Sequence, residues 1–470
     1  MKKNVCLLSL LLLVACQQQY DSVFPANDIV PLEQIQAEVT SVSMSEAEKI
    51  AASFYGDDAK TRATDRRIEA ISVINDDTGR PAIYVVNYAD DKGFVLISAT
   101  KNFMPILAYS DKGHFTVGKS YVAGLNDWME NMGAIIETVS AYPVDSAYVY
   151  KNIWKKYLQT DEPEKKIVKT RQEYDDEFAD YVRSCYFQWA SEGYSVCLFC
   201  DFSTAYPFYE RFRSLAQSMT YPEYDYTVQS IVRSKTYDKS SKKDNFVFTT
   251  WDQLLGFNAQ LPQINGEYPY AGCATIAMAQ VMKYHEYPTT FDWNAMPNNY
   301  ATPQTAGLIR ELGDAIHAKY GLKQTPASLD NVRSALVSKY GYASTTRLIS
   351  HSADVVEKEL NENRPVIMEG FSPKGDEGHA WVATGYDHSD YYTEYELMVM
   401  PEQYYPGGTF VFLVADSDME ITNSRYFYMN WGWYGKYDGF YYDANIWVDR
   451  DDGRFYFNKN RRDMVGIQPK

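Results

Sequence analysis

Positive charge is scarce in this chain: 45 Lys and Arg stand against 62 Asp and Glu, a formal net charge of −17 over 470 residues. That balance argues against nucleic acid or an anionic membrane surface as a partner, since both are recognised through a basic face. Long apolar runs are scarce too. After residues 5–15 no stretch is apolar enough to span a bilayer. There is no internal repeat, so the chain does not read as a repeat array. Histidine and cysteine number six each, which leaves few residues for nucleophilic or metal chemistry. Cys197-x-x-Cys200 has no histidine near it and lacks a fourth ligand, so neither a zinc half-site nor a redox pair is supported, and no cofactor or metal is expected.

A composition that is 45% hydrophobic can build large cores, and the length suggests about two to four domains. The 41 tyrosines suit half-exposed strands and clefts but carry no function by their number. At the start, Lys2 and Lys3 precede the apolar run at 5–15, the pattern of an export signal. Leu13-Val14-Ala15-Cys16 resembles a lipobox, in which Cys16 is acylated and becomes the first mature residue, tethering the protein to a membrane by lipid alone. The expectation is a cell-envelope protein, periplasmic or at the cell surface. Export implies an oxidising compartment, so Cys185 is expected to pair with Cys197 or Cys200.

Residues 17–43 are polar and read as a tether. A Ser45-x-x-Glu48 capping box opens a short helix ending near Tyr55. Residues 83–88 and 93–98 read as a β-hairpin, and Leu125, Trp128, Met129, Met132, Ile135 and Ile136 recur at helical spacing. Residues 44–140 are therefore a small α+β unit. Residues 141–232 hold charged runs and three spare cysteines and receive no assignment. Residues 233–244, RSKTYDKSSKKD, are polar and read as an exposed, cleavable linker. The domain boundaries that follow are 1–16, 17–43, 44–140, 141–245 and 246–470.

Chemistry concentrates in the last of these. Gly272 breaks regular structure ahead of Cys273, and residues 274–285 lack Gly and Pro and are rich in Ala, Met and Gln, which predicts a buried helix ending before Pro288. A thiol at a helix start feels the positive end of the helix dipole and free N–H groups, which favour the nucleophilic thiolate. A base must accompany it. His285 lies twelve residues along the same helix, about 18 Å away by rise alone, and is excluded. His388 is expected in a loop. His379 enters an apolar strand after Gly378, which suits a ring held at a cleft. Asn430, in Asn-Trp-Gly-Trp, has a carbonyl that can accept from the far ring nitrogen, with Trp431 shielding that bond. Gln253 could donate, with the Cys273 N–H, to an oxyanion.

Taken in the order Gln253, Cys273, His379, Asn430, these segments resemble the streptopain family of papain-like cysteine peptidases, over nearly all of 246–470. Phe291-Asp-Trp-Asn, Tyr340-Gly-Tyr342, Asp438-Gly-Phe and Val465-Gly-Ile-Gln-Pro469 fit in the same order. Gly93-Phe-Val-Leu-Ile-Ser-Ala and Pro105-Ile-Leu-Ala-Tyr-Ser-Asp resemble the family's propeptide, which folds with the enzyme and holds it inactive until a linker is cut. The resemblance implies an α+β protein: a papain-like domain of helices and antiparallel sheet behind an α+β propeptide domain. It implies a zymogen that hydrolyses peptide bonds of protein or peptide substrates, with its own propeptide as intramolecular inhibitor. A cell-wall amidase or acyltransferase using the same Cys–His pair, or a non-catalytic binding lipoprotein, are the competing readings. Two departures stand out. Fifty-one residues separate His379 from Asn430, longer than the family interval, so a tyrosine-rich insertion over about 390–425 is expected beside the site. Tyr434 stands where the family has glycine.

Overall fold

A computed structural model describes residues 40–55, 66–118, 123–141, 148–158, 176–220, 230–371, 378–400, 412–444, 447–450, 453–456 and 461–470. Cys16 and the rest of the expected export signal lie outside them. Fourteen strands are present among these residues. They are β1 (Ile68–Asn75), β2 (Pro81–Tyr88), β3 (Phe94–Ser98), β4 (Ile106–Ser110), β5 (Ser195–Leu198), β6 (Ile231–Lys243) and β7 (Arg347–Ser350), followed by β8 (Val366–Phe371), β9 (Gly378–Val399), β10 (Leu413–Asn430), β11 (Gly439–Tyr442), β12 (Trp447–Arg450), β13 (Gly453–Tyr456) and β14 (Arg462–Val465). All but β12 and β13, which pair with each other, join one sheet in the order β1-β2-β3-β4-β11-β10-β9-β8-β14-β7, with β6 bridging β9 to β5. Every pairing between these strands is antiparallel, and with the helices this is the α+β class.

The hairpin at 83–98 forms as expected, and β2, β3 and β4 are buried almost throughout. Their apolar runs carry no alternation because helices Met44–Phe54 and Ala123–Ser140 contribute to the same core. The first helix does carry a capping box, but two residues earlier than expected. Ser43 and Glu46 close it, each side chain bonding the other's backbone N–H at 2.8–3.2 Å. The sequence offers two Ser-x-x-Glu registers, and the buried stripe Ala47, Ile50 and Ala51 selects the first.

This N-terminal unit does not stand apart. Strand β4 pairs with β11, placing Tyr109 against Phe440 and Ala108 against Tyr441, so one sheet runs through residues 68–110 and on into 366–465. A single core crosses the seam: Phe103 packs on Tyr442, Tyr109 stacks on Phe440, and the Trp128 indole N–H donates to the Tyr442 carbonyl at 3.2 Å. A second core surrounds helix Cys273–His285, with Trp251, Phe257, Leu312, Ala380 and Val382 among its members.

Residues 233–243 of the expected linker 233–244 are not a linker. They lie in β6, which pairs with β9 without interruption from Ile231↔Met398 to Lys243↔Tyr386. Polar composition misleads here because both faces of residues 235–242 are exposed and the ladder needs only backbone groups. Among the described residues no strand pairs with the outer side of 235–243, and lysines are a common guard on such edges. His388, expected in a loop, sits inside β9, where it meets Glu357 and Asp390. The expected disulfide is not formed: Cys185, Cys197, Cys200 and Cys273 are all thiols. Cys185 packs with Leu198 and Met398 in one cluster while Cys197 packs against the cluster of Phe199, Phe202 and Leu397, a different side of β5. Alternation along a strand sends neighbouring side chains to opposite faces, so the two sulfurs are kept apart. Among the described residues no helix is long and apolar enough to cross a membrane.

Candidate active site

Gly272 sets the site's starting point. It adopts φ +91°, and a Cβ there would come within 2.7 Å of the Thr325 carbonyl oxygen, so the turn and its close approach both call for glycine. The helix begins at the next residue, Cys273, and runs to His285, where Glu286 in a left-handed conformation closes it. Positions 274–282 are all buried, as the apolar composition predicts.

The structure brings Cys273 and His379 together from two elements, the helix start and the start of β9. Burial alone would push the Cys273 thiol up. The His379 imidazole, by its charge and a hydrogen bond to the sulfur, and the N–H groups of Ala380 and Ala274 outweigh burial and hold the thiol below its ordinary value. His379 is 3% exposed, and its ring lies parallel to Trp381 at 6.3 Å. Trp381 in turn packs on Trp431 at 5.2 Å, and Trp431 on Tyr441. Indoles therefore wall the imidazole from water. The backbone N–H of Trp431 donates to Asp438 at 3.0 Å, and burial raises that carboxyl to about 7 against the pull of this N–H and Lys112. Helix Ala123–Ser140 approaches the same wall: Trp128 and Met132 line a small cavity with Trp381, Met429 and Trp431.

Gln253 is buried beside the thiol's loop, its carbonyl accepting from the Ala271 N–H at 3.0 Å. Asn430 does not orient His379 here. Its carbonyl oxygen accepts from Gln280 Nε2 at 3.1 Å and from the Gly432 N–H at 3.1 Å, and its amide donates to the Thr249 carbonyl at 2.7 Å. Both lone pairs are thereby used. Tyr434 holds φ +57°, which explains why glycine suits that position, and its ring is exposed at the rim.

Gln280 was missed by the sequence reading as a site residue. It is fully buried on the Cys273 helix and accepts from the Trp251 N–H at 3.3 Å while donating to Asn430, so it ties the Gln253 segment, the helix and the Asn430 turn together. The available signal was a lone amide within an otherwise apolar helix interior. Gln280→Met keeps the volume, strands the buried Trp251 N–H and leaves Asn430 Oδ1 with the Gly432 N–H alone. Urea unfolding is expected to register a loss of about 1–3 kcal/mol, and an unchanged midpoint would show that the tie is dispensable.

Residues 251–291 and 289–441 match the peptidase C10 family, and residues 39–136 match the Spi protease inhibitor family. Thiol protease/hemagglutinin PrtT of Porphyromonas gingivalis is 24% identical over 264 residues, covering 47% of this chain and 26% of that protein. Streptopain of Streptococcus pyogenes is 24% identical over 251 residues, covering 43% of this chain and 54% of that protein. The chain thus spans between a quarter and about half the length of the curated relatives it matches. A solved prointerpain A fragment from Prevotella intermedia overlaps 85% of this chain and 99% of its own, at 16% identity and a TM-score of 0.46. That overlap is loose, and the fold is read from this chain's own strand order.

Proposed function

This chain carries a peptidase C10 domain behind a Spi-inhibitor-type domain, and from that premise we propose that it is a cysteine endopeptidase made as a zymogen. The observation that carries the reading is the Cys273–His379 pair at a helix start, with the thiol held below its ordinary value. Cys273 as thiolate attacks the scissile carbonyl, and His379 as imidazolium protonates the leaving amine. Gln253 with the Cys273 N–H receives the developing oxyanion, and water then releases the acyl group. Trp431 with Trp381 keeps the ion pair dry. Asn430 acts through the turn it braces, by way of Gln280, rather than on the ring. No cofactor or metal takes part in this scheme.

The N-terminal unit serves as the intramolecular inhibitor. Its β4 lies on the edge of β11, and its helix Ala123–Ser140 packs over the indole wall beside His379. Protein or peptide chains are the substrates, and nucleic acid is not a partner. The protein is proposed to reside in the cell envelope through acylated Cys16. Cys16→Ala is expected to shift it from the membrane fraction to the soluble one, and a variant that stays with the membrane overturns the anchor.

The test uses purified protein lacking residues 1–16, exposed to an added protease, then to a peptidyl epoxide. One adduct on the peptide containing Cys273, together with casein hydrolysis, is the expected result. Cleavage of peptidoglycan with casein untouched would indicate an amidase, and no reactive thiol would indicate a binding protein.

A further inference from the structure

We propose that residues 176–243 are a permanent module of the peptidase, held to it by strand pairing and packing rather than by chain connection, so that a cut ahead of Gln253 leaves them in place. The two irregularities of the sequence, the unassigned region before 232 and the tyrosine-rich insertion between His379 and Asn430, form one structure. Beyond Tyr386, strands β9 and β10 run outward together as an arm, paired from Tyr386↔Phe427 to Val399↔Leu413. Strand β6 lies along the whole of this arm, and β5 pairs with its first residues.

Both faces of the arm are closed by the same segment. On one, Phe199, Phe202, Tyr206, Phe208 and Phe212 cover Tyr395, Leu397 and Val399. On the other, Cys185, Trp189 and Leu198 cover Met398, Met400 and Phe412. Without 176–243, these six arm residues, all now less than 9% exposed, would face water on a two-stranded ribbon, a form that is marginal by itself. Polar ties repeat the pattern. Arg233 meets Glu396 at 2.7 Å, Arg211 bridges Asp416 and Asp418, and the Tyr206 and Tyr395 hydroxyls meet at 3.1 Å. The arm matters to the chemistry because its strands are those that carry His379 at one start and Asn430 at the other end.

The place of cutting follows from backbone accessibility. A protease needs several residues of free extended chain, and β6 commits its backbone to the ladder up to Lys243. The strand ends at Lys243, and Asp244 is exposed and in no strand; just beyond it the Phe246 N–H donates to the Thr384 carbonyl at 3.2 Å and Val247 is buried, so the accessible backbone is the junction at 244–245. A break there severs β6 from Gln253 but removes none of the contacts above. On the zymogen reading it also leaves residues 44–140 joined to the retained module, so release of the inhibitor requires a second break, upstream of Asp176.

The experiment takes the full chain with Cys273→Ala, which prevents self-cleavage and makes the outcome independent of whether the protein is a peptidase. Recognition sequences for a site-specific protease are inserted between Asp244 and Asn245 and again ahead of Asp176, so that residues 44–140, which pair with β11 on their own account, no longer tie the module to the rest. The chain is cut at both and the products are followed by gel filtration and mass spectrometry. The fragment that starts near Asp176 and ends at Asp244 is expected to co-elute with the C-terminal fragment and to part from it only in denaturant. Elution of the C-terminal fragment without the 176–244 fragment, or its precipitation away from it, overturns the proposal. In the same cut chain Leu397→Asp is expected to lower the co-eluting fraction at least tenfold on dilution. No change there would mean that the packing on the arm does not hold the module, and would overturn it equally.

Discussion

Cys273→Ala is expected to lower kcat on a peptide substrate by about 10⁴-fold or more while the urea midpoint stays where it was. The asymmetry comes from where the sulfur sits. It stands at the first residue of its helix, partly exposed to the cleft, and loses only one small atom, whereas the buried helix positions behind it are untouched. The same atom is the whole nucleophile. A companion measurement separates the thiol's environment from its mere presence. In the wild type, alkylation by iodoacetamide should persist to pH values below those of an ordinary thiol, because the His379 charge and hydrogen bond stabilise the thiolate. In His379→Ala only burial and two backbone N–H groups remain, so the alkylation midpoint is expected to move upward. Turnover near wild type in Cys273→Ala, or an unmoved midpoint in His379→Ala, would remove the pair from the mechanism.

The largest loss of stability is expected at a histidine outside the Cys273–His379 pair. His351 is buried between two aspartates: its Nδ1 meets Asp463 at 3.0 Å and its Nε2 meets Asp443 at 3.0 Å, while Arg461 holds the other Asp443 oxygen at 2.6 Å. Burial and the Arg461 charge work against the imidazolium, but Asp443 and Asp463 outweigh them and raise its pKa. Asp443, opposed by burial, is driven well below the carboxylate range by Arg461 and His351. His351→Leu removes the cation that two buried carboxylates share and is expected to cost about 3–5 kcal/mol in urea unfolding.

The sign of the pH dependence follows. The folded pKa of His351 lies above its unfolded value of about 6.5, so its contribution is complete below that pH and drains away as pH rises through the folded value. Asp443, depressed in the fold, contributes above about pH 4 and fails as pH falls. Wild type should therefore lose stability on its alkaline flank more steeply than His351→Leu does. Parallel alkaline flanks for the two proteins would mean that His351 is neutral in the fold.

This cluster was illegible in the sequence. His351, Asp443, Arg461 and Asp463 lie up to 112 positions apart, and nothing in their local context distinguishes them from surface charges. Residues 233–243 were misread for a related reason. An edge strand with both faces wet has no hydrophobic period, and only its partner β9 makes it a strand. Gln280 and the bracing of Asn430 likewise depend on what faces a helix interior from other segments.

Local chemistry, by contrast, is written locally. Gly272 before Cys273, the unbroken Ala- and Met-rich run after it, the apolar hairpin at 83–98 and the Gly378-His379 strand entry each needed only neighbours in sequence, because backbone preference and burial period act over a few residues. The sequence by itself therefore determined the α+β class, the thiol at its helix start and the histidine chosen to face it. The tertiary structure alone decided that the N-terminal sheet is continuous with the C-terminal one, that two irregular regions make one module on a shared arm, and that Asn430 is held by Gln280. Those are choices among long-range pairings of equally suitable polar and aromatic residues, and they are settled by which surfaces must be buried together.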